Sequence, residues 1–403
     1  MTVFSRKKLD YTKQPMFFGE HLSIVRNDVQ KYPIFSKLTK TQKSFFWNPE
    51  EINLEKDKID YKNLSAHEQH IFTKNIAYQT MLDSIQERSP LLAFLPWISI
   101  PELEGCVIWW AAFEQIHSES YQWILRNIYP DPSVVFDLSL DDLNIINRAD
   151  AIIRYYDDFI DYSTKYRAFG PGRTLVQQLI EYAKDEVLPA VGPLASPGIG
   201  LTEGIDSHPG VVTLSLYELK TKLYLALFSV FCLESVRFYV SFACSFAFGQ
   251  QGKMKGNADI IKLIAKDEAQ HVGIVVNILR NLTRKENDPD FVQIAAEQEE
   301  TVLKMFDEVV DQEKEWAKYL FKDGSIVGLN EPLLCKFLEF TANKRLRSLG
   351  FKQRYENTTD PFGWMSSWLG SEDQQVAPQE KEVTDYLINV LDTNVNEANL
   401  LEI

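Results

Sequence analysis

The sequence predicts an all-α protein, a bundle of long helices with few strands. Three observations point there. Apolar residues recur at helical spacing through several long segments. Capping and breaking residues bound those segments. Strand-like alternation is confined to one short run, VVTLSL, next to a Gly/Pro-rich stretch. At 403 residues, 45% hydrophobic and 25% charged, the chain exceeds one average domain but suits a single large helical unit with appendages.

Taken in order, residues 1–64 read as irregular, with a loop-like FFWNPEE around Trp47. Ser65 and Glu68 have the spacing of a capping box, which opens a helix running to Glu87 and closed by Pro90. A second helix is expected from Pro101 to Tyr129, closed by Pro130, and a third over Leu140–Tyr166. Between Gly170 and Gly210 there are seven Gly and five Pro, with one helical patch at Thr174–Val187. That composition marks a loop-rich insertion, about 170–213, or a short hairpin ending at VVTLSL. Helical patterns resume at 215–248, 257–282, 288–321 and 330–348, and after Trp368 they weaken into a polar tail. The expected organisation is a helical unit over 1–370 and a flexible acidic tail over 371–403.

Charge and cysteine usage narrow the function. A net charge of −15 argues against nucleic acid, whose phosphates need a basic surface. From Ser371 onward eight acidic residues face a single Lys, the composition of a solvated tail. Cys106, Cys232, Cys244 and Cys335 form no C-x-x-C pair, and the first three sit among apolar residues, as reduced thiols do in a cytoplasmic protein. The start, MTVFSRKKLD, is no signal peptide. The most apolar stretch, Leu223–Phe248, is interrupted by Glu234 and Arg237, and its first run of eleven residues is too short to span a bilayer. No membrane role is expected.

Chemistry is carried by two copies of Glu-x-x-His, Glu114–His117 and Glu268–His271. Residues three apart share a helix face, so each motif presents one carboxylate and one imidazole to a single point. Two such helices, with one carboxylate from each of two more, make the two-metal site of ferritin-like carboxylate proteins. Asp83, mid-helix in QTMLDSIQE, and Glu234, inside FSVFCLESVRFY, supply the extra carboxylates. Four carboxylates neutralise two divalent cations, and an oxygen-and-imidazole set suits iron or manganese better than zinc. Singly the members are weak: a lone Glu-x-x-His is common, Asp83 alone says little, and Glu234 could pair with Arg237 one turn on. A further His67-Glu-Gln-His70 sits in the polar first turn of a helix and reads as a solvated helix end.

Tyr121 follows His117 by four residues and Glu114 by seven, which is about 40° and −20° around the helix and, from His117, about 6 Å along it. A phenol so close to an oxygen-activating metal pair can be oxidised to a radical. Phe238 and Phe242 follow Glu234 by four and eight residues, and Ile264 precedes Glu268 by four. They would stack one or two turns from the metals and exclude water, although ordinary core packing explains the same residues.

With these residues in hand, the chain resembles the small, radical-bearing subunit of class I ribonucleotide reductase, of the tyrosyl-radical type. The resemblance is carried, in order, by MLDSIQERSP, SIPELE, FEQIHSESY, RNIYPDPSVVFD, LESVRFYVSFACSFAF, IAKDEAQH, YLFKDGSIVGLN and VAPQE. It implies a homodimer of ferritin-like subunits with an oxo-bridged pair of iron ions, activated by O2, that leaves a stable radical on Tyr121. Manganese, with a flavoprotein or reductase for activation, fits the same residues; iron is the expectation. The oxidising equivalent would pass to a cysteine of a separate large subunit, which reduces ribonucleotides to deoxyribonucleotides for DNA replication. The implied relay starts at Tyr121 and involves Trp47, linked to the metals by Asp267 and His117. It continues through Tyr386 in the tail, with Glu380 assisting at the subunit junction. Without the resemblance, Trp47 reads as a packing residue and the tail as inert. Tyr386 is the one aromatic after Trp368, in a segment that cannot build a core.

Three features depart from the family pattern: a longer Gly/Pro-rich stretch than in bacterial members, an acidic Glu119 whose phase, about 200° from Tyr121, turns it away, and the ending NEANLLEI. Two other readings share the fold. A di-metal oxygenase or desaturase needs a substrate pocket where Tyr121, Phe238 and Phe242 are expected. A non-catalytic iron-binding protein of ferritin type needs neither Trp47 nor Tyr386. The expected location is the cytoplasm, or the host cytoplasm for a viral protein.

Overall fold

The computed structural model describes residues 4–172 and 213–369. Over these it is a bundle of long helices, and among the described residues β structure is limited to isolated bridges. Helices α1 (Pro33–Ser44) and α2 (Glu55–Asn63) precede the long α3 (Ala66–Gln86) and α4 (Pro101–Ile128). Then come α5 (Ser133–Asp141), α6 (Leu143–Phe169) and α7 (Leu216–Cys232). A single π turn (Leu233–Arg237) joins α7 to α8 (Phe238–Gln250). The bundle is completed by α9 (Lys255–Leu282), α10 (Pro289–Glu297), α11 (Glu299–Leu320), α12 (Glu331–Ser348) and the short α13 (Met365–Leu369).

The ends form where local chemistry dictates. Glu68 accepts from the backbone N–H of Ser65 at 2.9 Å, closing the capping box of α3. Pro101 occupies the first turn of α4, where a missing N–H costs nothing. Asp142 caps α6, and Gly170, at φ +75°, ends it in a conformation that side chains disfavour. The N-terminus of α9 is capped from another helix: buried Asp57 of α2 accepts from the N–H groups of Gly256 at 3.0 Å and Asn257 at 2.6 Å.

At the centre α4 packs on α3 and α9, and α8 packs on α3 and α9. Helix α1 covers α4 and α9, while α6 lies along α7. The helical stretch Leu216–Gln250, π turn included, is long and apolar enough to cross a bilayer, but 94% of its apolar window is buried inside the protein. It is the core helix of the bundle.

The structure corrects four expectations. Residues 1–64 are not uniformly irregular, because α1 buries Phe35 and Leu38 against the bundle and α2 supplies the Asp57 cap. The helix expected at 140–166 begins earlier as α5 and restarts at the Asp142 cap. The segment 288–321 is broken at Gln298, where ψ opens to 4°. The 215–248 helix is interrupted by the π turn that carries Glu234. Gly172 and Leu214 pair as an antiparallel bridge at the two edges of the Gly/Pro-rich stretch. The Thr174–Val187 patch and the first two residues of VVTLSL lie outside the described residues, as does the tail from 371.

Candidate metal centre

All six sequence-nominated ligands are fully buried, and they come from four helical segments: Asp83 from α3, Glu114 and His117 from α4, Glu234 from the π turn, Glu268 and His271 from α9. One ligand atom from each of Glu114, His117, Glu268 and His271 lies within 4.8 Å of all the others. His117 Nδ1 is 3.1 Å from Glu268 Oε1, 3.4 Å from Glu114 Oε2 and 3.4 Å from Asp83 Oδ1. His271 Nδ1 is 3.0 Å from Glu114 Oε1 and 3.2 Å from Glu268 Oε2.

Lone pairs converge here without donors. Both oxygens of Asp83, Oε2 of Glu114, Oε2 of Glu234 and Oε1 of Glu268 are buried and accept no hydrogen bond among the described residues. Such orphaned acceptors are rare unless a cation fills the space between them. The donor set, two carboxylates and two imidazoles around one point with the buried carboxylates of Asp83 and Glu234 in addition, fits a pair of divalent cations. Burial pushes the carboxyl of Asp83 up to about 8 and that of Glu234 well above the usual carboxylate range. Burial also opposes charge on His271, but Glu114 and Glu268 outweigh it and push the imidazole up to about 9. Each group is driven to neutralise its neighbours, as cations would.

A second layer orients these ligands. His117 donates through Nε2 to Asp267 Oδ2 at 3.2 Å, which leaves Nδ1 facing the carboxylates. The same Asp267 oxygen accepts the Trp47 indole N–H at 2.8 Å, so Trp47, Asp267 and His117 form one buried chain. Trp110 donates to Glu114 Oε1 at 2.7 Å. Gln86 donates through Nε2 to Glu234 Oε1, and Tyr156 donates to Gln86 Oε1 at 2.9 Å. The sequence reading missed Trp110, Gln86 and Tyr156. Trp110 stands four residues before Glu114 and Gln86 three after Asp83, so same-face spacing could have found both. Nothing in the sequence marks Tyr156.

Arg237 does not pair with Glu234. Its guanidinium turns to Glu313 of α11, with Nη1 2.8 Å from Oε1, and Arg148 of α6 binds the same carboxylate. The alternative of an ordinary ion pair for Glu234 is thereby removed.

Tyr121 is fully buried, and its hydroxyl has no hydrogen-bond partner among the described residues. Burial first, then the charges of Asp83 and Glu268, raise its pKa well above the ordinary value, so the phenol stays protonated. Phe238 and Phe242 stack at 5.8 Å with 9° between their planes, and both are fully buried, as is Ile264. Glu119 is exposed and accepts from Gln115. His70 meets the Tyr319 carbonyl at 3.2 Å, and both His67 and His70 are half-buried. Cys106, Cys232 and Cys244 are buried free thiols, each pushed up to about 12 by burial. Glu380 and Tyr386 lie outside the described residues.

Comparison with known proteins places this geometry. A family model described as ribonucleotide reductase, small chain, matches residues 26–192 and 203–361, and its match breaks inside the Gly/Pro-rich stretch. The chain is 45% identical over 399 residues to ribonucleoside-diphosphate reductase 1 subunit beta of Escherichia coli O157:H7, covering 99% of this chain and 98% of that one. It is 37% identical over 403 residues to the ribonucleoside-diphosphate reductase subunit beta of Enterobacteria phage T4, with 99% and 98% covered. Among solved structures, the ribonucleotide reductase R2 subunit from Clostridium botulinum superposes with a TM-score of 0.71 at 23% identity, over 92% of this chain and 98% of that one. The dimanganese(II)-NrdF of Streptococcus sanguinis does so with 0.61 at 17% identity, over 87% and 100%. The last two likenesses establish the fold.

Proposed function

The chain belongs to the ribonucleotide reductase small-chain family, and we propose that within it Tyr121 stores an oxidising equivalent made at the adjacent two-metal centre. The protein serves as the small subunit of a class I ribonucleoside-diphosphate reductase and works with a large subunit that carries the nucleotide chemistry. The observation that carries the proposal is the fully buried Tyr121 hydroxyl, on the same helix as two ligands and left without a hydrogen-bond partner.

Asp83, Glu114, His117, Glu234, Glu268 and His271 would hold the metals, which we take to be iron, with manganese as the second choice. When bound, a metal pair with O2 supplies the oxidising power that removes an electron from Tyr121. The chain's own residues do the rest. Asp267 fixes the His117 ring by accepting from Nε2, and Trp47, hydrogen-bonded to the same oxygen, links the centre to the outer layer of the bundle. Phe238, Phe242 and Ile264 keep water and reductants from the phenol. A phenol held protonated must lose its proton as it is oxidised, and Asp83 and Glu268, whose charges raise its pKa, are the candidate acceptors.

In the same proposal the protein is a cytoplasmic homodimer built of a 1–370 helical unit and a 371–403 tail. Tyr386, assisted by Glu380, hands the oxidising equivalent to the large subunit through that tail, and a flavoprotein or reductase serves activation. A di-metal oxygenase is the weaker reading, because a fully buried phenol stands where its substrate would enter. The test is turnover of a ribonucleoside diphosphate by the loaded protein mixed with a class I large subunit. Tyr386→Phe should keep the Tyr121 radical and lose turnover; normal turnover in that variant would remove the tail from the relay.

A further inference from the structure

We infer that Gln86 and Tyr156 are positioning residues for the metal centre, a hydrogen-bonded chain that fixes which oxygen of Glu234 faces the metals. The inference rests on the two-metal reading above and deepens it. The three groups come from separate elements: Tyr156 from α6, Gln86 from the last turn of α3, Glu234 from the π turn. All are buried, with Gln86 and Glu234 at 0% exposure and Tyr156 at 2%. Helix α6 supplies none of the six ligands, so the chain brings a fifth helix into the control of the site.

Hydrogen-bond bookkeeping gives the chain its direction. Gln86 turns its NH2 toward Glu234 Oε1, and a carboxylate held ionised by bound cations can only accept. The amide oxygen then faces Tyr156, whose hydroxyl must donate to it, at 2.9 Å. With Oε1 occupied, Oε2 of Glu234 is the buried oxygen left without a partner. Arg237 of the same turn is committed to Glu313 and does not hold this side chain. Without the Tyr156 hydroxyl the amide can rotate by 180° and present oxygen to oxygen, which repels the carboxylate from its place.

The test uses the full chain, the variants Gln86→Met and Tyr156→Phe, and their combination. Mn(II) binding is followed by calorimetry, and the coupling of the bound Mn(II) ions by electron paramagnetic resonance. Gln86→Met should weaken uptake of the second Mn(II) by about tenfold, the size expected when an outer-shell partner of a ligand is lost. The spectrum should show altered coupling. Tyr156→Phe should weaken the same ion, and the double variant should be no worse than Gln86→Met alone, since one chain is cut in either place. Losses that multiply in the double variant, or single variants that bind both ions with unaltered affinity and spectrum, overturn the inference while leaving the centre intact. Should Gln86→Met fail to fold, Tyr156→Phe decides the matter alone, because it keeps the amide. Unmodified protein that takes up fewer than two Mn(II) per chain would overturn the two-metal reading itself, and this inference with it.

Discussion

Trp47 donates its indole N–H to Asp267 at 2.8 Å, and the same carboxylate oxygen lies 3.2 Å from His117 Nε2. The three residues come from the loop before α2, from α9 and from α4, 220 and 150 positions apart along the chain. A buried carboxylate oxygen shared by an indole and an imidazole joins Trp47 to His117, one of the candidate metal ligands.

Trp47→Phe removes one donor from a buried carboxylate, at a cost of about 1–3 kcal/mol in stability. The variant should still bind two metals, because Asp267 retains His117. Turnover with the large subunit should fall to background. Metal stoichiometry and ribonucleotide reduction, measured on the same preparation, check both halves; full turnover would sever Trp47 from the relay.

Tyr121→Phe should fold and load normally. The hydroxyl it removes is buried without a hydrogen-bond partner, so the variant should be between equally stable and about 2 kcal/mol more stable. Urea unfolding of the metal-free proteins reads this directly. A clear loss of stability would mean that the hydroxyl has a partner.

Glu313 is shared by Arg148 and Arg237, and all three are buried. Glu313→Gln leaves two buried cations without a counter-charge and should cost about 3–5 kcal/mol. Glu300→Gln, which breaks an exposed, solvent-screened pair with Lys304, should leave stability nearly unchanged. Equal effects in a denaturant titration would contradict the buried-cluster account.

Asp142 caps α6 while accepting from Lys74 at 2.7 Å and Tyr319 at 2.7 Å. Burial raises its pKa, but Lys74, Tyr319 and Asn144 outweigh burial and hold the carboxyl at about 2, below its ordinary 3.8. A depressed pKa means stabilisation that is complete above pH 3.8 and is lost as pH falls toward 2. Asp142→Asn should therefore destabilise by about 1–2 kcal/mol at neutral pH. Its deficit relative to the unmodified protein should shrink between pH 4 and pH 3. A deficit independent of pH would assign the effect to packing.

The clustering of the candidate ligands was legible in the sequence because helical geometry converts spacing into direction. Glu114 with His117, and Glu268 with His271, each lie three apart on long helices, and both pairs meet in the structure. The capping box at Ser65 fixed the start of α3 for the same local reason. What escaped the sequence depends on contacts between distant segments. Helix α1 is polar on its own and forms against α4 and α9. Tyr156 meets Gln86 from 70 positions away. Arg237 turns from Glu234 to Glu313 of α11, 76 positions away, a choice that local spacing does not encode. The π turn at 233–237 has no Pro or Gly to announce it.

The most direct measurement is to load the full chain with ferrous iron, admit O2, and record the optical and electron paramagnetic resonance spectra. The account predicts a sharp tyrosyl radical signal that is absent from Tyr121→Phe loaded with the same two metals. Protein that takes up both metals yet yields no radical, with iron or with manganese and an activating flavoprotein, would contradict it.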